Sequence, residues 1–140
     1  MKNLPLPMHK NAMGAALAMQ AANRQGKAWL MYEKMFENQR ALGREDLERY
    51  ANELGLDVAK FKADLDDPKL KEEVDGDLRV AQTVGVGGTP TFFVNGQPVT
   101  GARPIEDFVS VIDDELAKAD ALLKQGVPLG DVYEKRAKSK

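Results

Sequence analysis

Two features of this 140-residue chain bear most directly on chemistry: it has no cysteine, and it has one histidine, His9. Thiol–disulfide exchange begins with a thiolate, so the chain alone cannot carry it out. Zinc and iron–sulfur sites of the usual kinds draw on several Cys and His ligands, and a Ser–His–Asp or Cys–His arrangement could use only His9. No metal, no cofactor and no catalytic residue is expected. His9 follows Pro7-Met8 with no identifiable nucleophile or ligand partner, which favours a structural or surface role. The remaining candidate is the run Gly87-Gly88-Thr89-Pro90-Thr91. A proline between a glycine pair and a strand suits a cis peptide bond, which would turn the preceding backbone outward. It equally suits the plain first position of a strand, where a missing donor does no harm.

The elements that must hold this loop can be read along the chain. Leu4-Pro5-Leu6-Pro7 cannot be helical, since each proline drives its predecessor into extended conformation, and a short edge strand over residues 1–8 is expected. From Asn11 to Asn23 alanines alternate with Met13, Leu17 and Met19, a strongly helix-forming composition. Gly26 breaks that helix. Lys27 to Gln39 places Trp29, Tyr32 and Phe36 on one helical stripe with Met31 and Met35 beside it, and the stripe is read as the aromatic part of the core rather than a ligand groove. Glu45 to Leu54 opens on two acids near the positive end of the helix dipole and stops at Gly55. Asp57 caps a short fourth helix, and Asp67-Pro68 supplies the N-cap and first residue of a fifth, with Leu70, Val74, Leu78 and Ala81 on one face up to Gly85.

The pattern then changes. Thr91-Phe92-Phe93-Val94 is aromatic and β-branched, Asn95-Gly96 is a strong type I′ turn signal, and Gln97 to Gly101 is the return strand, placed at a sheet edge by Pro98. Pro104 opens a long helix whose Ile105, Phe108, Ile112, Leu116, Ala119 and Leu123 recur at helical intervals and should cover one face of the hairpin. Asp113-Asp114-Glu115 reads as its solvated side. After Gly126-Val127-Pro128, the tail holds one possible helical turn near Val132 and Tyr133 and a basic Lys135–Lys140 end expected to be mobile. The five methionines from Met8 to Met35 are read as gap-filling.

Composition narrows the classes. A formal net charge of −2 offers no broad electropositive surface for a nucleic acid backbone, and no uncharged stretch approaches the roughly 18 residues that span a bilayer. No nucleic acid and no membrane partner is expected. The first seven residues lack the apolar run of a secretory signal, so no compartment can be assigned. At this length a single domain over residues 1–140 is expected.

An extended lead-in, a helical block, Gly-Thr-Pro, a hairpin with an edge proline and a closing helix together resemble the DsbA-like thiol:disulfide oxidoreductases. These have an α/β thioredoxin fold interrupted by a large helical insertion. The resemblance runs over nearly the whole chain and is most specific in Val86-Gly87-Gly88-Thr89-Pro90-Thr91-Phe92-Phe93-Val94-Asn95-Gly96, followed by Gly101 and Pro104. Lys2 to His9 and Gln25-Gly26-Lys27 add to it. It implies a segmentation into lead-in strand (1–8), helical insertion (9–85), cis-proline loop, hairpin and C-terminal helix (86–125) and tail (126–140). It also implies that Thr89 and Pro90 bind substrate, offering backbone hydrogen bonds to an extended polypeptide. Members of the family, typically extracytoplasmic, carry a Cys-X-X-Cys motif on a strand and helix that this sequence lacks. The fold is therefore expected to be incomplete, with an exposed edge and apolar face, and a homodimer through the unfilled strand position is expected. The functional readings are a redox-inactive member or fragment of the oxidoreductase family, a non-catalytic thioredoxin-fold protein that binds peptides or a partner chain, and a helical module whose hairpin is only structural. A kappa-class glutathione transferase or isomerase is a minor alternative, since that family shares the helical insertion and the proline loop.

Overall fold

The computed structural model describes residues 1–138 and contains seven helices and one hairpin among them: α1 (Ala12–Asn23), α2 (Ala28–Glu37), α3 (Arg44–Glu53), α4 (Val58–Leu65), α5 (Pro68–Thr83), β1 (Thr91–Val94), β2 (Gln97–Thr100), α6 (Ile105–Lys124) and α7 (Leu129–Lys138). Its contacts divide into two compact units, Met1–Gly87 and Gly88–Lys140.

The first unit is helical. Alanine makes α1 a close-packing helix, and Ala18, Ala21 and Ala22 are fully buried against Met31, Tyr50, Ala51, Phe61 and Leu70. Two tight junctions fix the layout. Lys27 Nζ donates to the carbonyls of Leu54 (2.7 Å) and Gly55 (2.8 Å), satisfying orphan acceptors at the end of α3. The Gln25 side chain brackets Asp57, accepting from its N–H at 2.8 Å and donating to its C=O at 3.2 Å. The Gln25-Gly26-Lys27 run thus ties the α1–α2 turn to the α3–α4 turn. Asp57 and Asp67 cap α4 and α5 as expected, accepting from Lys60 N and Lys69 N, both at 2.9 Å.

Two expectations fail in this unit. Residues 1–8 form no strand. Pro5 and Pro7 remove both donors from one side of that segment, and the amide of Asn3 is taken by the buried carboxylate of Asp77 on α5, at 2.8 Å, with Lys2 Nζ on the second oxygen at 2.8 Å. The lead-in is held by a side chain, not by a sheet. On α2 the stripe expected inside lies outside: Met31 is 0 % exposed, whereas Trp29 and Phe36 are 63 % and 56 % exposed. The narrow, unbranched methionines fit against the alanine face of α1, and the aromatic rings instead meet one another, Trp29 edge-on to Tyr32 at 5.5 Å and Tyr32 tilted against Phe36 at 4.4 Å.

The second unit is a hairpin with two helices. The pairing runs Thr91 to Thr100, Phe92 to Val99, Phe93 to Pro98 and Val94 to Gln97. Asn95 (φ 48°) and Gly96 (φ 82°) take the left-handed conformations that the two-residue turn demands. Gly96 also lies close to α7: a Cβ there would sit 3.1 Å from the Cα of Ala137, a tighter contact than most side chains make. The tail holds a ten-residue helix, Leu129–Lys138, in place of the single turn expected near Val132 and Tyr133, with Ala137 beside the hairpin turn. Ser139 and Lys140 lie outside the described residues.

What docks α7 is a buried ion pair. Glu115, read from its acidic neighbours as solvated, is 1 % exposed and accepts from Arg136 Nε at 3.0 Å and Nη2 at 2.8 Å, with Lys118 at 3.2 Å. The Arg136 guanidinium, with Lys118, holds the Glu115 carboxyl below the usual carboxylate range against the opposing effect of burial. Such a bidentate arrangement suits a planar guanidinium. Of the α6 apolar residues, Phe108 packs edge-on to Phe92 at 5.1 Å, but Ile105, Ile112, Leu116 and Leu123 stay exposed. The helix covers the hairpin with one edge of its apolar surface, not with all of it.

Candidate functional site

The loop before β1 starts where α5 ends. Gly85 (φ 69°) terminates that helix with the N–H of Val86 on the Ala81 carbonyl at 2.8 Å and its own N–H on Gln82 at 3.1 Å, a Schellman closure. Within the second unit, Gly88 leads into Thr89 and Pro90, both exposed, and the peptide bond between these two is cis. Thr91 Oγ1 donates back to the Gly88 carbonyl at 2.8 Å, and Gly101 N–H donates to the Pro90 carbonyl at 2.8 Å, so the loop is clamped to the hairpin from both sides. A Cβ at Gly88 would meet nothing within 4 Å, which leaves open space around the loop backbone.

The register decides which backbone groups are available. In a two-residue hairpin the closing pair, Val94 with Gln97, exchanges hydrogen bonds, and the pattern alternates from there. Phe92 therefore bonds to Val99, and the Gly101–Pro90 contact continues the same phase. Thr91 and Phe93 point their N–H and C=O away from β2. On the opposite edge, Pro98 occupies a position whose N–H would point outward and has none to offer. The two edges are thus chemically unlike: the outer edge of β1 keeps its donors and acceptors immediately after Thr89-Pro90, and the outer edge of β2 is blunted.

Side chains follow the same alternation. Phe92 faces α6, Val99 beside it is buried, and Phe93 stands on the other face next to Pro98, both exposed. The edge is thus flanked by an aromatic ring that a bound segment could cover.

The other sequence candidates fall elsewhere. His9 is exposed, and its backbone serves the start of α1, with its N–H on Leu6 O and its C=O accepting from Ala12, each at 3.0 Å. Among the described residues no cluster of His, Cys, Asp or Glu could hold a metal ion, and no helix is long and apolar enough to cross a membrane. Three charged sites escaped the sequence reading. Besides Asp77 and Glu115, Arg24 gathers Asp64 (2.7 Å), Asp67 (2.8 Å) and Glu73 (3.2 Å), binding the end of α1 to α4 and α5. Only spacing on α4 and α5 hinted at this, because carboxylates forty and more residues away converge on Arg24 only in three dimensions.

A loop of this kind feeding an edge-exposed hairpin with a closing helix defines a thioredoxin-like domain. The sequence model of the DSBA-like thioredoxin domain family matches residues 3–113, and the chain belongs to that family. It is also 44 % identical over 108 residues, 77 % of its length, to a protein of Herminiimonas arsenicoxydans described as Na(+)/H(+) antiporter NhaA, of which this covers 17 %. It is 37 % identical over 119 residues, 84 % of its length, to Na(+)/H(+) antiporter NhaA 3 of Salinispora tropica, covering 18 %. With NhaA 1 of Salinispora arenicola the identity is 37 % over 121 residues, again 18 % of that protein. The chain thus spans under a fifth of the length of these relatives.

Proposed function

We propose that this chain is a redox-inactive DsbA-like domain that binds an extended polypeptide, with Thr89 and Pro90 at the start of the binding edge. Disulfide exchange needs a cysteine thiolate on the protein, and these 140 residues contain no cysteine, so binding is the activity assigned to the chain. The observation that carries the reading is the outward N–H and C=O of Thr91 and Phe93 on an edge that follows directly from Thr89-Pro90. An added strand satisfies main-chain groups whatever its side chains are, which gives affinity with broad sequence tolerance.

Proline substitution separates edge binding from hairpin integrity. Phe93→Pro removes an outward donor while leaving the bonds to β2, and is expected to weaken an extended peptide by about threefold to tenfold, the value of one hydrogen bond. Phe92→Pro removes a bond into β2 and is expected to unravel the hairpin. Calorimetric titration of the peptide, with amide exchange of β2 as the structural control, makes the comparison. Equal affinity of wild type and Phe93→Pro sinks the reading, as would any insulin-reducing activity of the chain.

The same edge supports a second occupant, another copy of this chain, with the two β1 strands paired antiparallel about a twofold axis. Phe93→Pro then lowers the sedimentation mass from dimer to monomer. The likeness to proteins described as Na(+)/H(+) antiporters supports a setting in which a domain of this kind works beside such a transporter.

A further inference from the structure

Helix α6 is closed by Gly126 (φ 85°), with the N–H of Val127 on the Leu122 carbonyl at 3.1 Å, and α7 returns beside it, pinned where Arg136 meets the buried Glu115. Where the side chains of the two helices diverge they leave an open cavity of about 410 Å³. That volume falls within the roughly 300–1,000 Å³ of small-molecule sites. Among the described residues it is lined by Lys118, Ala121, Leu122, Lys135 and Arg136, three cations and no carboxylate. Both walls belong to this chain's own α6 and α7. Ala121 lies about two and a half turns from Ile112, so the cavity opens on the side of α6 opposite its exposed apolar residues.

The charges decide what fits. Lys118 touches the carboxylates of Asp114 and Glu115, and Arg136 is held on Glu115. Lys135 makes no hydrogen bond or ion pair among the described residues. Three cations against the two carboxylates they touch leave one positive charge, carried by Lys135 on α7. The floor is uncharged: Ala121 is exposed and Leu122 half-buried, and the methylene stems of the lysines extend that apolar surface. A bare inorganic anion would leave the floor unused, a neutral apolar molecule would leave Lys135 unmatched, and a cation would be repelled.

We propose that the α6–α7 cavity binds a monoanion carried on a short apolar body, in its simplest form a medium-chain carboxylate, with the anionic head at Lys135 beside Arg136 and the body on Ala121 and Leu122. A ligand that touches both helices also favours the docked position of α7, because it binds that state and not the opened one. Neither Thr89, Pro90 nor β1 lines the cavity, and the site does not depend on the function assigned to them.

The probes are octanoate, octanol, acetate and octyltrimethylammonium, titrated into the full chain and followed by the amide resonances of residues 115–137. Octanoate is expected to shift Lys118, Ala121, Leu122, Lys135 and Arg136 saturably and to slow amide exchange over α7. Octanol and acetate should each bind about tenfold more weakly, and the ammonium should leave these resonances in place. Lys135→Gln is expected to weaken octanoate about fivefold to tenfold, Lys135→Arg to retain it, and high salt to narrow the gap between octanoate and octanol. Because Lys135 is exposed, neither substitution disturbs a packed residue. Phe93→Pro should leave octanoate binding unchanged. Equal binding of octanoate and octanol, equal binding to wild type and Lys135→Gln, shifts centred on Ile112 and Leu116, or no saturation at millimolar octanoate would each overturn the proposal.

Discussion

The helical unit and the hairpin unit solve the same problem in opposite ways. In Met1–Gly87 a cluster from α1 to α5 buries Met31, Tyr50, Phe61 and Leu70 almost completely, and its charges serve to tie helix ends together. Among the described residues of Gly88–Lys140 the most buried is Glu115, while Phe92, Phe93, Ile112 and Leu116 remain exposed. The first unit is held by apolar packing, with its exposed large hydrophobics, Trp29, Leu30, Phe36, Val80 and Val84 among them, lying outside that buried cluster. The second is held by an ion pair, a turn docked on α7 and one aromatic contact, and keeps its apolar surface outward. A domain that binds is expected to place its binding groups in the less self-satisfied part, and the outward backbone of β1 lies there.

The largest effect that tests this contrast is in the helical unit. Met31→Ala opens a cavity under α2 and is expected to cost about 2–5 kcal/mol in urea unfolding followed by circular dichroism. A small cost would mean the core is looser than its burial indicates. In the hairpin unit, Arg136→Ala leaves Glu115 without its main partner and is expected to release α7, read as fast amide exchange over residues 129–137 with the exchange of α1 to α5 unchanged. The acid response follows from the same pair. Glu115 titrates below its ordinary 4.5, so its stabilisation is complete above that value and is lost as the pH falls through the lower native one. Protection of α7 should therefore fall in that acid window in the wild type, whereas in Glu115→Gln it is weak already at neutral pH and shows no acid step.

Smaller effects sharpen the comparison. Asp57→Ala removes the cap on Lys60 N–H and is expected to cost about 1 kcal/mol in the first unit only. Trp29→Ala, although it deletes the largest side chain of α2, is expected to change stability by less than about 0.5 kcal/mol because the ring is exposed. A Trp29 cost equal to that of Met31 would restore the aromatic stripe to the core.

Much of the local structure was legible. The caps Asp57 and Asp67, the stops at Gly55 and Gly85, and the Asn95-Gly96 turn are single-residue signals with local causes, and each element stands where they place it. The edge position of Pro98 followed from its missing donor. The orientation of α2 was not legible, since Trp29/Tyr32/Phe36 and Met31/Met35 are both helical stripes, and periodicity cannot say which one faces inward. Equally hidden was Glu115, whose burial depends on an arginine 21 residues further on. In the candidate site, residue types singled out the Gly87–Thr91 loop and the family resemblance gave Thr89 and Pro90 their proposed role, but the outward direction of the Thr91 and Phe93 backbone required the pairing register.

By itself, then, the sequence determined where helices, turn and hairpin begin and end, and that these residues hold no thiol. Those are properties of short windows of chain, set by caps, prolines, glycines and composition. Tertiary structure alone decided which stripe of α2 and of α6 is covered, how Asp77 replaced a strand as the anchor of residues 1–8, and how Arg136 drew Glu115 inward. Each of these depends on groups far apart in the chain meeting at hydrogen-bond or van der Waals distance, and no local pattern encodes that meeting.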